Sequence, residues 1–287
     1  MSDALDVVGL FRDAFAGGVL VALACGLLSV HVVARRMVTA GIALPQVAAL
    51  GIALGLLLGA GGEHADGHAS HAVEGGLPKV LAVALQLGLV AVLAWPAAVR
   101  AIGETAISGI AFAGAGALTI LAMARSPLGM EEVHHLVEGN VLAVGRGDLV
   151  VLLATLVPVL VLLVAAARPL MFCTFDAEMA ATLGVRTRLW QMLFHVAFAL
   201  TVAVSIHAAG TLFMVAFLVL PGATGVLLGR SGWSTLVIAA AAAVVASAGG
   251  FVLSASAWDT PTGPTCAAAA LAVFALASLV RLLPARS

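Results

Sequence analysis

The chain has a single lysine in 287 residues, Lys79. A phosphate-binding P-loop needs a Gly-rich turn followed by Lys and Ser or Thr. Lys79 sits in Leu77-Pro78-Lys79-Val80, which offers neither. The chain therefore carries no Walker A motif, and any ATP energy must come from a separate subunit. Charge is scarce too, at 9% of residues, where a soluble domain carries about 25%. No polar stretch is long enough to fold as a soluble domain. The three cysteines, Cys25, Cys173 and Cys266, form no Cys-x-x-Cys pair, which excludes a zinc knuckle and a disulfide framework and leaves them as small apolar packing. No His-Glu-x-x-His pair, Gly-x-Ser-x-Gly turn or paired intramembrane aspartates occur, so an intramembrane hydrolase is disfavoured. A net charge of −1 says nothing about partners, and no nucleic-acid partner is expected.

What is present is apolar: 63% of the chain, in recurrent runs of about 20 residues, each enough to cross a ~30 Å hydrocarbon core. The fold class read from this is an all-α polytopic membrane protein with about nine transmembrane helices. The expected spans are 15–34, 41–60, 79–99, 106–124, 148–167, 190–208, 210–229, 233–253 and 264–282, within one transmembrane domain over 1–287. The first 14 residues read as a short amphipathic surface segment. Their Asp3, Asp6 and Asp13 have the wrong sign for a signal-peptide n-region, so no cleavage is expected. With the N-terminus outside, Arg35, Arg36, Arg100, Arg168, Arg186, Arg188, Arg230, Arg281 and Arg286 fall on the cytoplasmic side, and Arg12, Lys79, Arg125 and Arg146 outside. That bias fits the positive-inside rule. Trp95, Trp190 and Trp233 lie near span ends and Trp258 in an outer loop, as interfacial belts require. Runs of small residues at 113–117, 240–250 and 266–272 suit close helix packing in lipid.

Three polar segments interrupt this pattern: a His-rich outer loop, 61–76; a second outer loop, 125–148; and a cytoplasmic segment, 168–188. In the third, Asp176 can cap a helix, Glu178 favours its positive N-terminal end, and Gly184 can close it in the left-handed conformation. A helix of about eight residues is marginal alone in water, so this one is expected to dock on something, whether a partner or its own bundle.

The segments "GVLVALACGLLSVHVVARRM" (18–37), "EGNVLAVGRGDL" (138–149), "FDAEMAATLGV" (175–185) and "VSIHAAGTLFMVAFLVLPGAT" (204–224), in this order and spacing, resemble the permease subunits of bacterial ABC importers for zinc and manganese. The resemblance covers nearly the whole chain. It implies a bundle like that of vitamin B12 and siderophore permeases, a homodimer, and a place in the bacterial cytoplasmic membrane. It also implies a cytoplasmic ATP-binding-cassette ATPase that binds the ATP, and an extracytoplasmic metal-binding protein. By this resemblance 168–188 is the coupling segment, and Asp176, Glu178 and Gly184 belong to its docking helix. The divalent metal, Zn or Mn, is substrate, and the chain itself is expected to hold no cofactor and to be no enzyme.

The relatives usually have "GDALSHA" where this chain has "GIALPQV" at 41–47. Their Asp and His, four residues apart on one helical face, resemble metal-handling groups of the transport path; here the positions are Ile42 and Gln46. Isoleucine cannot ligate, and glutamine offers one neutral oxygen, a poor substitute for Zn²⁺. Gln46 is expected to face the bundle interior, more as an interhelical hydrogen bond than as an ion ligand. Ionisable groups within spans are functional candidates, and those available to the path are His31, His195 and His207. His207 is also a candidate metal ligand, with His64, His68 and His71 of the outer loop, which are close enough in sequence to collect metal weakly. Glu131, Glu132, His134, His135 and Glu138 are further possible ligands in the second outer loop, where "EGN" suits docking of the binding protein. The alternative to an ABC permease is a stand-alone secondary cation carrier or exporter. Such carriers need intramembrane carboxylates, and here Glu104 and Asp148 lie only at span ends.

Overall fold

Inside a bilayer each backbone N–H and C=O must be satisfied within its own segment, and the chain meets this requirement with helices. The computed structural model describes residues 12–59, 76–95, 99, 101–125, 145–254 and 260–282, with no strand among them. The loops 61–75 and 126–144 lie outside the described residues, and with them His64, His68, His71, Glu131, Glu132, His134, His135 and Glu138.

The described helices are α1 (Arg12–Ala34), α2 (Val38–Gly59), α3 (Gly76–Leu93), α4 (Glu104–Ala124), α5 (Arg146–Ala165), α6 (Ala167–Phe175), α7 (Ala177–Thr182), α8 (Thr187–Phe217), α9 (Leu220–Leu228), α10 (Gly232–Leu253) and α11 (Thr262–Leu282). Among the described residues, eight segments are long and apolar enough to cross a membrane, and α3 supplies a shorter apolar helix, Leu77–Leu93. The expected third span, 79–99, thus ends six residues early. Pro96 explains the stop, because a proline disfavours the helical region for the residue before it.

The expected sixth and seventh spans are the two legs of one interrupted run. Within α8, Gly210 alone leaves helical geometry, at φ 77 and ψ 168. Phe194 before it packs on His31 near the end of α1. After it, Met214 meets Cys25, and a Cβ on Gly222 would meet the Ser29 backbone. Contacts that advance along α1 from Cys25 to Ser29 as the chain advances from Met214 to Gly222 mean that the chain has turned back at Gly210. The return leg breaks again at Leu218–Val219 before α9, whose first turn carries Pro221.

The inner helices are α1 and α2, 72% buried along their apolar windows against 22% for α5 and 17% for α11. α1 packs against α5, α8, α9 and α10, while α2 packs against α3, α4 and α8. Lipid is as apolar as leucine, so close packing of small residues does the sorting. At Gly51 and Gly55 of α2 a Cβ would lie 2.3 Å from the Cα of Ala82 and of Pro78, so here α2 and α3 touch backbone to backbone. Phe194, Phe198, Phe213 and Phe217 fill the space beside α1 and α2 without exposure. The turn after α1, α6, α7 and the start of α10 share one end of the bundle with Arg35, Arg168, Arg186 and Arg230. That basic end is the cytoplasmic one by the positive-inside rule. At the opposite end Asp13 pairs with Arg146 at 3.3 Å, a solvent-exposed contact worth little to stability.

Candidate transport path and coupling site

α2 carries the departure at 42 and 46. The helix begins at Val38, earlier than the sequence suggests, so Pro45 is its eighth residue and removes one intrahelical donor, the one Gly41 O would have received. Beside the proline, Gln86 of α3 donates through Nε2 to Leu44 O at 3.2 Å. Gln86 is wholly buried and its Oε1 has no hydrogen-bond partner. Ile42 and Gln46 share one face of α2 and are half-buried. The Gln46 amide lies over Gly116 of α4, where an added Cβ would come within 3.3 Å of Nε2. The expected interhelical hydrogen bond at Gln46 is thus made by a different glutamine, Gln86. Sequence reading missed it because a lone amide in an apolar helix has no distinguishing pattern.

His31 and His195 come together around Phe194, which packs edge-on to both at 5.5 and 5.6 Å between ring centroids. Their nearest polar partners are protein groups. His195 Nδ1 donates to Gln191 O at 2.7 Å. The Thr174 hydroxyl gives its one proton to Leu170 O at 2.6 Å, so its oxygen accepts from His31 Nδ1 at 3.0 Å and from Arg35 Nε at 3.1 Å. That saturates Thr174 and fixes the tautomer of His31. Both imidazoles are thus packed against Phe194 and hydrogen-bonded through Nδ1 at the basic end. His207 belongs to the first leg of α8, three residues before Gly210. Among the described residues no group of three His, Cys, Asp or Glu side chains could hold a metal ion.

α7 is six residues long, two fewer than expected, with both ends closed. Asp176 accepts a hydrogen bond from Met179 N at 2.8 Å, and Glu178 stands in the first turn. At the far end Val185 N reaches Ala180 O at 3.0 Å and Gly184 N reaches Ala181 O at 3.1 Å, with Gly184 at φ 80. These two bonds form a Schellman closure. Ala180 is buried, but Phe175, Met179 and Leu183 are 63%, 53% and 65% exposed. At the polar end of a membrane bundle, this short helix and the residues flanking it thus hold three large apolar side chains outward. Nearby, burial pushes the Cys173 thiol up from its ordinary value, which keeps it an inert packing group.

Set beside known proteins, residues 8–281 match the family described as ABC 3 transport family. The manganese transport system membrane protein MntC of Halalkalibacterium halodurans is 28% identical over 93% of this chain and 85% of its own length. The high-affinity zinc uptake system membrane protein ZnuB of Haemophilus influenzae is 25% identical over 92% and 95%. Among solved structures, PsaBC from Streptococcus pneumoniae in complex with Fab aligns with a TM-score of 0.80 over 96% of this chain and 94% of that one, at 21% identity.

Proposed function

Because this chain belongs to the ABC 3 transport family, we propose that it is the membrane permease of an importer that moves a divalent metal ion, manganese or zinc, across the bacterial cytoplasmic membrane on ATP hydrolysed by a separate subunit. The observation that carries this reading is the family match over nearly the whole chain. The absence of a lysine-bearing P-loop from the sequence agrees with it, and so does the outward apolar cluster of Phe175, Met179 and Leu183 around α7. Exposing three large apolar side chains to water is unfavourable by roughly 25 cal/mol per Å², and an ATPase docked on α7 would remove that cost. Two copies of the chain would enclose the path, and an extracytoplasmic binding protein would deliver the ion to the end away from α7. A host stripped of its own manganese and zinc importers tests the reading. Growth under metal chelation should return when this chain is produced together with its ATPase and binding protein. If the chain alone restores growth equally well, it is a secondary carrier. In the same assay, replacing His64, His68 and His71 with alanine should raise the metal level needed for half-maximal growth; an unchanged requirement would remove the loop from metal capture.

The path at α2 departs from that of the relatives, and we read Ile42 and Gln46 as a neutral stretch that an ion passes with its own waters. Mn²⁺ tolerates oxygen and water ligands better than Zn²⁺, so this wall penalises zinc more than manganese. The double replacement Ile42→Asp with Gln46→His would place a carboxylate and an imidazole on one helical face. It should tighten Zn²⁺ binding in the membrane region by on the order of tenfold, ~1.4 kcal/mol. Calorimetry on purified protein with the three loop histidines replaced measures this. Equal affinity in both proteins would mean that these positions do not face the path.

A further inference from the structure

The turn that joins α1 to α2 is built at a cost. Met37 N bonds to Val32 O at 2.9 Å and Arg36 N to Val33 O at 3.0 Å, the pattern that usually places glycine at the left-handed position. Here that position is Arg36, at φ 59, where a side chain costs about 1–2 kcal/mol. The closed turn directs the preceding residue, Arg35, into the bundle.

Arg35 then touches two further helices, α6 and α8. Its Nε donates to Thr174 near the end of α6, one residue before Phe175 and directly ahead of α7. Its guanidinium lies over the Phe194 ring of α8, 4.9 Å from the centroid, within cation–π range. Nη2 has no partner although it is buried. Glu104, the first residue of α4, has a buried Oε1 that is equally unpartnered. Arg35 and Glu104 are electrostatic neighbours, and burial pulls the guanidinium down from its ordinary value without discharging it. A buried donor and a buried acceptor left unmade each cost about 1–3 kcal/mol, and more when charged. Two such buried groups of opposite charge, within electrostatic reach of each other and each with an atom left unpartnered, fit a contact that closes in another arrangement of the same helices.

We propose that Arg35 is a positioning residue of the transport cycle: held by Thr174 and Phe194 in this state, it closes on Glu104 in the alternate state and draws the start of α4 towards α1 when α7 moves. The consequence reaches the path, since α4 carries Gly116 against Gln46. A shift of α4 moves the wall that faces α2. The inference rests on the reading of α7 as the ATPase dock.

The test uses the permease with its ATPase in lipid vesicles. Glu104→Gln keeps the shape and removes the charge. Manganese uptake should fall roughly tenfold while the ATPase still binds, and Glu104→Asp should recover most of it. Rescue by the shorter acid separates a charge contact from a packing role. Spin labels at positions 36 and 105, with the native cysteines replaced by alanine, report the gap directly: it should shorten on ATP binding, and no longer do so in Glu104→Gln. Unchanged uptake in Glu104→Gln, or a gap that ATP leaves unaltered, would overturn the proposal. Gly184→Val run alongside keeps the two readings apart. If it uncouples transport while the gap still shortens on ATP binding, α7 is the dock and Arg35 is not its relay.

Discussion

Leucine in place of Gly51 is expected to leave no correctly folded permease. Its Cβ alone would lie 2.3 Å from Ala82 Cα and 2.5 Å from Ala82 N, distances at which backbone must move. Moving α3 away from α2 opens the contact that also brings Gln86 to Leu44, so the loss spreads along the helix pair. Overpacking of a close-packed interior costs 1–3 kcal/mol, occasionally more, and a backbone-to-backbone clash belongs at the upper end, at ~3 kcal/mol or beyond. Thermal unfolding in detergent, followed by aggregation-sensitive chromatography, should show a sharply lowered midpoint or no monodisperse peak. Gly88→Ala on α3 is the matched control, because a Cβ there meets nothing within 4 Å, and its midpoint should match the natural chain. A Gly51→Leu protein as stable as the control would mean that α2 and α3 do not approach as described.

Gly184→Val should have the largest functional effect that leaves the fold standing. The residue is exposed and a Cβ has open space, so no clash arises. The penalty lies in the backbone, since valine at φ 80 is strained by roughly 1–3 kcal/mol. Relief of that strain breaks the bonds from Val185 to Ala180 and from Gly184 to Ala181, and a six-residue helix has few others to lose. Membrane insertion and thermal midpoint should stay close to natural values, while ATP hydrolysis continues without proportionate metal uptake. Gly184→Asn, which tolerates the left-handed region, should restore most of the coupling. Full coupling in the valine variant would show that the closed end of α7 does not transmit the ATPase stroke.

Local chemistry was legible in the sequence. Asp176 and Gly184 act on neighbours within a few residues, so the caps of α7 could be read from "FDAEMAATLGV" alone. The apolar runs showed the crossings for the same reason, and the turn at "SIHAAGT" was visible as small residues between two long runs. The early end of α3 and the break at Leu218–Val219 were not read, although Pro96 and Pro221 signalled both. Contacts across the bundle were hidden. Thr174 lies 143 positions from His31, and neither residue's type suggests the other. Arg35 counted only as one of several charges on one side of the membrane. Nothing local distinguishes an arginine that points to water from one that reaches inward over a phenylalanine.

The central claim is that this chain moves a divalent metal only when an ATPase works on it. Vesicles that contain the permease and its ATPase, with binding protein loaded with radioactive manganese on the outer side, measure that claim most directly. Metal should accumulate against its gradient when ATP is supplied on the α7 side. It should fail to accumulate with a non-hydrolysable nucleotide, or when the ATPase is omitted. Accumulation driven by a proton or sodium gradient across vesicles that hold this chain alone would contradict the account.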